Sequence, residues 1–220
     1  MNHQASNVLV EPQSRSKRWT VSANVLFGAT GILFFGSGFS ALLYQLAWQR
    51  TLFGWYGVEL DSVSAIVSIF MLGLGVGALI GGWLADKVAR RRILLFSAVE
   101  LTIGAFGLVS LSIIDTVGAL FPALALPYIV VATFVLLILP TCAMGATLPI
   151  LVIELVDRNG KVGVSTGYLY FVNTLGAALG AYASGYILLA RIDLTAIVQL
   201  AATINFLIGT SAALLFKRSR

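Results

Sequence analysis

The sequence predicts an all-α membrane protein of six transmembrane helices. Of its 220 residues, 59% are hydrophobic and only 10% are charged, whereas a soluble domain carries about 25% charged residues. The charges that remain sit at the ends of six apolar stretches, at 24–48, 62–85, 93–114, 125–153, 162–189 and 194–216. Each stretch exceeds the ~20 residues that cross the hydrocarbon core of a bilayer. The division that follows is a polar tail (1–22), a six-helix membrane domain (23–216) and a short basic tail (217–220).

Charge placement orients the helices. Twelve of the 14 Lys and Arg residues fall on one side: Arg15, Lys17 and Arg18 ahead of the first stretch; Lys87 and Arg90 to Arg92; Arg158 and Lys161; Lys217, Arg218 and Arg220. Only Arg50 and Arg191 fall on the other, with Glu59, Asp61, Asp115 and Asp193. Positive residues stay cytoplasmic, so both termini are expected on the cytoplasmic side. The same pattern explains the net charge of +5 without a nucleic-acid partner, because the basic residues mark helix ends and form no binding stripe. The bilayer is the expected partner.

The first stretch is too long for a secretory h-region and no small-residue cleavage site follows it, so it reads as an uncleaved helix. Trp48, Trp55, Tyr56 and Tyr128 are expected at the outer interface, Trp19 and Trp83 at the inner one. Between the second and third stretches, Gly82 and Asp86 precede Lys87, Arg90, Arg91 and Arg92. Apolar runs this close make a tight cytoplasmic hairpin, in which Asp86 and the arginines are expected to restrain both helices. Pro140 and Pro149 interrupt the fourth stretch, and a proline frees the carbonyl four residues earlier, so a kink or a break is expected there.

A repeat runs through the chain. Gly73, Gly77 and Gly82-Trp83-Leu84 in the second stretch recur as Gly176, Gly180 and Gly185-Tyr186-Ile187 in the fifth, at one constant offset of 103 residues. The two stretches cross in opposite directions, so the relation is inverted, with helices 1–3 matched to 4–6. The plain role of these glycines is close helix packing, since small residues four apart let backbones approach.

Few residues carry chemistry. Glu100 is the only acid well inside an apolar stretch, seven residues past Ile93 and so ~10 Å deep. It reads either as a protonatable or cation-binding carboxylate or as a structural acid bonded to a neighbouring helix. Asn173 and Thr174 of the fifth stretch are its expected partners. Gln45, Thr141 and Asn205 complete the candidate intramembrane polar site, each with interhelical hydrogen bonding as the plainer role. The lone Cys142 and lone His3 exclude a His/Cys metal centre. No nucleophile and base can be assembled, and Gly73-Leu74-Gly75-Val76-Gly77 lies inside a span, so neither an enzyme nor a nucleotide cofactor is predicted.

The hairpin wording, with small apolar residues, Asp86, Lys87 and a basic cluster, resembles the loop signature of major facilitator transporters, with Ala89 where that family usually has a second glycine. Three further segments, Ser37-Gly38-Phe39-Ser40-Ala41-Leu42-Leu43-Tyr44-Gln45, Leu139-Pro140-Thr141-Cys142-Ala143-Met144-Gly145 and Gly167-Tyr168-Leu169-Tyr170-Phe171-Val172-Asn173, resemble the membrane region of bacterial fused spermidine synthase-like proteins. That resemblance covers about residues 30 to 215 and implies a major-facilitator-type half without the soluble aminopropyltransferase-like domain. Two functions are compatible with it. One is a half-size transporter that acts as a homo-oligomer or with another membrane subunit, because alternating access needs two halves. The other is a membrane anchor or scaffold for a separate complex, for example a synthase-like enzyme.

Overall fold

In a computed structural model, residues 20–56, 59–89, 91–120 and 126–218 are described. They form six α-helices: α1 (Thr20–Tyr56), α2 (Glu59–Lys87), α3 (Arg92–Leu120), α4 (Leu126–Asn159), α5 (Val162–Tyr182) and α6 (Leu194–Arg218). No strand occurs among the described residues. Five of the helices contain runs long and apolar enough to cross a membrane: Phe27–Gly54, Val63–Lys87, Arg92–Ala119, Val131–Asn159 and Leu194–Leu214. Helix α5 is the exception, being the shortest of the six and the one that carries Ser165, Thr166, Tyr168, Tyr170, Asn173 and Thr174. Helix α1 already begins at Thr20 and α6 runs through Arg218; the rest of both tails lies outside the described residues.

Side-chain registers give the directions. Gly73 lies against Thr141, Gly77 against Cys142 and Gly81 against Ala146, so α2 and α4 run parallel. Gly31 lies against Tyr168, Gly38 against Asn173 and Gly180 against Phe39, so α1 and α5 run parallel as well. Helices α3 and α6 are antiparallel, with Ser97 bonded to Gly209 O and Glu100 to Asn205. The most extensive packing joins α2 to α4, α1 to α5 and α3 to α6, followed by α3 to α4 and α1 to α6.

Two apolar clusters fill the bundle. One, around Phe34, Phe96, Ile150, Leu151 and Ile208, occupies the end where the hairpin arginines lie. The other, around Leu43, Trp48, Ile66, Phe70, Ile103 and Ile197, occupies the far end. Ser37, Glu100 and Asn205 each fall between members of the two clusters along their own helices, so a polar layer separates two apolar ones.

Two local expectations are refined. Helix α4 is continuous through Pro140 and Pro149, so of the kink and the break it is the break that does not occur. Near the two prolines the Thr141 hydroxyl donates to Leu137 O at 2.8 Å and Thr147 to Met144 O at 2.6 Å, each within its own helix. An irregularity of hydrogen bonding follows α5, where Ala183–Leu188 form a π turn. Trp48, expected at the interface, is 0% exposed. Its indole is stacked on Tyr44 and its Nε1 donates to Ser110 Oγ at 2.8 Å, so the polar end that would seek headgroups is satisfied inside the bundle.

Candidate functional site

Glu100 is 0% exposed. A bare carboxylate in an apolar interior is costly, so its two oxygens need donors. Ser37 of α1 donates Oγ–H to Oε1 at 2.6 Å, and Asn205 of α6 donates Nδ2–H to Oε2 at 2.6 Å. Three helices are thereby joined at one acid. Both donors are neutral, and no cation forms an ion pair with Glu100 among the described residues. The carboxyl faces protein, as its depth and solitude in the sequence require.

The partners differ from those expected. Asn173 does not reach Glu100; its backbone oxygen and Oδ1 lie over Gly38 of α1, where a side chain would collide with them. Thr174 is exposed. Equal depth along two helices decides nothing about which faces meet, and the face of α5 that carries Asn173 is turned to α1. Of the five candidate polar residues, only Glu100 and Asn205 come together. Thr141 bonds within its own helix and packs on Gly73. Gln45, half-buried, makes no side-chain hydrogen bond among the described residues. Ser37 was missed because a serine next to Gly38 reads as a small packing residue.

Two buried polar atoms near this layer, Asn205 Oδ1 and Tyr44 Oη, have no hydrogen-bond partner among the described residues. Tyr44 is 0% exposed and its hydroxyl rests on Gly107 of α3, where even a methyl group would displace it. Beyond it comes the Trp48–Ser110 bond, and then a cavity of about 730 Å³ at the far end, lined among others by Thr51, Leu111, Asp115 and Asp193. Asp193 accepts the Ala196 N–H at 3.0 Å at the start of α6.

The repeated glycines form two seams. A Cβ at Gly77 would land on Cys142 O, and one at Gly180 on Phe39 O. Gly73 and Gly176 are equally tight, against Thr141 and Phe35. Gly82 only grazes Pro149, at 3.9 Å from an added Cβ. Gly185 was expected to pack in the same way, but it lies in the π turn, where an added Cβ would meet nothing within 4 Å among the described residues. The turn shifts the register of that segment, so a glycine that continues the spacing in sequence leaves the seam in space.

The hairpin is restrained, though not by Asp86. Arg92 is 6% exposed; its Nε donates to Ala85 O at 2.8 Å and its guanidinium pairs with Asp157 of α4. The end of α2, the start of α3 and the end of α4 are thus held by one side chain. Asp86 is exposed and makes no hydrogen bond or ion pair among the described residues. Arg91 is also exposed, Arg90 lies outside the described residues, and the Lys87 ammonium sits 3.5 Å above the Trp83 ring. The sequence cue for Asp157 was weak because acids at helix ends are ordinarily solvated.

A comparison with protein families matches residues 16–220 to the Major Facilitator Superfamily. Curated proteins and solved structures give no match.

Proposed function

The chain belongs to the major facilitator superfamily, and from that premise we propose that it is a half-size transporter module, not an enzyme, built as six spans in a 3+3 inverted repeat and completed by a second copy or another membrane subunit. The observation that supports the repeat most directly is the pair of backbone contacts Gly77–Cys142 and Gly180–Phe39. Adding 103 to Gly77 gives Gly180, and adding 103 to Phe39 gives Cys142. One offset therefore relates α2 to α5 and α1 to α4 together, which sequence comparison of α1 with α4 did not reveal. Exchanging 1 with 4, 2 with 5 and 3 with 6 also turns the α1–α5 pairing into α4–α2, and α3–α4 into α6–α1, in keeping with the packing order. The parallel run of α1 and α5 supports α5, extended by its π turn, as the sixth span. Two cytoplasmic termini are the reading that charge supports, and the bacterial inner membrane is the reading that the spermidine synthase-like resemblance supports.

Transport is supported by the coexistence of two glycine seams, where backbones come into direct contact at Gly77 and Gly180, and one buried carboxyl that ties α1, α3 and α6. Within the superfamily we assign the chain to the spermidine synthase-like membrane branch, on the resemblance of the three segments around Ser37, Pro140 and Tyr170. Anchoring of a separate enzyme or complex is the second reading, favoured by the closed hydrogen bonding of Glu100 inside one half. The test is reconstitution of the purified complex: its stoichiometry, and proton- or cation-coupled solute flux compared between wild type and Glu100→Gln. A complex with a stoichiometric soluble enzyme and no flux would reverse the preference.

A further inference from the structure

Helix α5 is the one helix of the six without a run apolar enough to span by its own composition, and three of its polar residues share one strip of its surface. At about 100° per residue, Thr166, Tyr170 and Thr174 fall within about 80° of one another, and Gly163, Gly167 and Ala178 lie on the same arc. All six are exposed. The arc beside it carries the exposed Phe171, Leu175 and Leu179, and the opposite side packs on α1 through Gly176 and Gly180. Tyr170 and Thr174 stand eight and twelve residues past Val162. That is ~12 and ~18 Å along the helix, well inside a hydrocarbon core ~30 Å thick. The hydroxyls of Thr166, Tyr170 and Thr174 make no hydrogen bond among the described residues. Exposed threonines on other helices behave differently. Thr102 and Thr116 of α3 and Thr203 and Thr210 of α6 each donate to the carbonyl four residues back, at 2.7 or 2.8 Å. Such a bond lets a hydroxyl face lipid without being left unsatisfied. At the 103-residue offset of the repeated glycines, Tyr170 and Thr174 correspond to Val67 and Met71 of α2, which are exposed and apolar. The two helices share their seam glycines and do not share these hydroxyls, so packing within the half does not account for them.

We propose that this arc of α5 borders water, as the wall that one half contributes to the solute path, and that it suits an uncharged, hydrogen-bonding solute. Polar residues within a membrane domain face a protein interior or a water-filled cavity, and the interior of this half lies on the other side of the helix. Close packing on a further helix fits poorly. Tyr170 stands between Gly167 and Thr174 with its side chain 62% exposed. A ring in the middle of a strip of small residues holds apart the backbones that such residues would otherwise bring together. Added Cβ atoms at Gly163 and Gly167 meet nothing within 4 Å, so open space lies directly beside the hydroxyls. No Asp, Glu, Lys or Arg occurs between Lys161 and Arg191. The wall therefore offers donors, acceptors and one aromatic face, and no fixed charge.

The solute rests on the transport reading, whereas water access does not, and the experiment separates the two. In the full chain carrying Cys142→Ala, reconstituted in liposomes, Thr166→Cys, Tyr170→Cys and Thr174→Cys are compared with Phe171→Cys, Leu175→Cys, Val67→Cys and Met71→Cys. The readout is the rate of reaction with small, membrane-impermeant thiol reagents. All seven positions are exposed, so the variants should fold. Positions 166, 170 and 174 should react roughly tenfold faster or more than the other four, because a thiol facing lipid meets no charged reagent. A cationic and an anionic reagent should react at 170 and 174 in the ratio they show with a free thiol in water, within about threefold. Rates at 166, 170 and 174 as slow as at 171 and 175 would overturn the inference. So would a spontaneous disulfide between copies at Thr174→Cys without labelling, which would make the arc a protein interface. A preference for one sign of charge of about tenfold or more would overturn the uncharged solute. Labelling as expected in a complex without flux would overturn the transport reading and leave the aqueous arc standing. Flux with unreactive 170 and 174 would overturn the arc alone.

Discussion

Replacing Gly77 by alanine tests the seam on which the architecture depends. The added methyl lands on Cys142 O, C and Cα. These are backbone atoms of a helix, so no rotamer change removes the clash and α2 must move away from α4. Overpacking of that kind costs about 1–3 kcal/mol, and this site lies at the upper end because the obstacle is backbone. Gly180→Ala meets Phe39 O, Cα and C and should cost the same within about 1 kcal/mol if the two seams are equivalent. Gly75 supplies the control: it lies on the same helix, two residues before Gly77, and an added Cβ meets nothing within 4 Å. Gly75→Ala should be neutral, or stabilising by up to about 1 kcal/mol through helix propensity. Reversible unfolding in mixed micelles, titrated with a denaturing detergent, reads all three. Wild-type stability for Gly77→Ala, or equal damage from Gly75→Ala, would refute the argument that backbone contact at the seam holds the helices.

Other outcomes follow from the polar contacts. Glu100→Leu should destabilise by about 1–3 kcal/mol because Ser37 Oγ and Asn205 Nδ2 lose their acceptor, whereas Glu100→Gln should keep the fold; equal unfolding midpoints for the two variants would show that the acid bonds are not stabilising. Arg92→Ala should cost more than Asp157→Ala, roughly 2 kcal/mol against under 1, since Arg92 and Ala85 O are buried while the Asp157 side chain is 57% exposed and screened by water. Asp86→Asn should leave stability in detergent unchanged, and a loss above about 1 kcal/mol in the same unfolding assay would restore it as a restraint. Cysteine labelling at Asn159 from the cytoplasmic side and at Asp115 from the opposite side checks the orientation, and labelling of position 159 from outside would reverse it.

The helical stretches, the charged ends and the exceptional status of Glu100 were legible in the chain, because each depends on local composition or on spacing along one helix, but α1 runs on to Tyr56 and α4 to Asn159, past the apolar stretches that end at 48 and 153. The glycine spacing was legible for the same reason, since small residues at fixed intervals define one face. Which face meets which was not. Glu100 chose Ser37 and Asn205, 63 and 105 positions away in sequence, over an Asn173 at equal depth, because a helix rotated toward α1 cannot also present that side chain to α3. Arg92 bypassed the neighbouring Asp86 for Asp157 because the buried start of α3 points at α4, and Trp48 went inward because Ser110 offered its indole an acceptor. Gly185 left its seam because a π turn changes the angular step per residue, which spacing in sequence does not record. Depth and identity are one-dimensional properties of the chain; azimuth and partner are fixed only when six helices pack around each other.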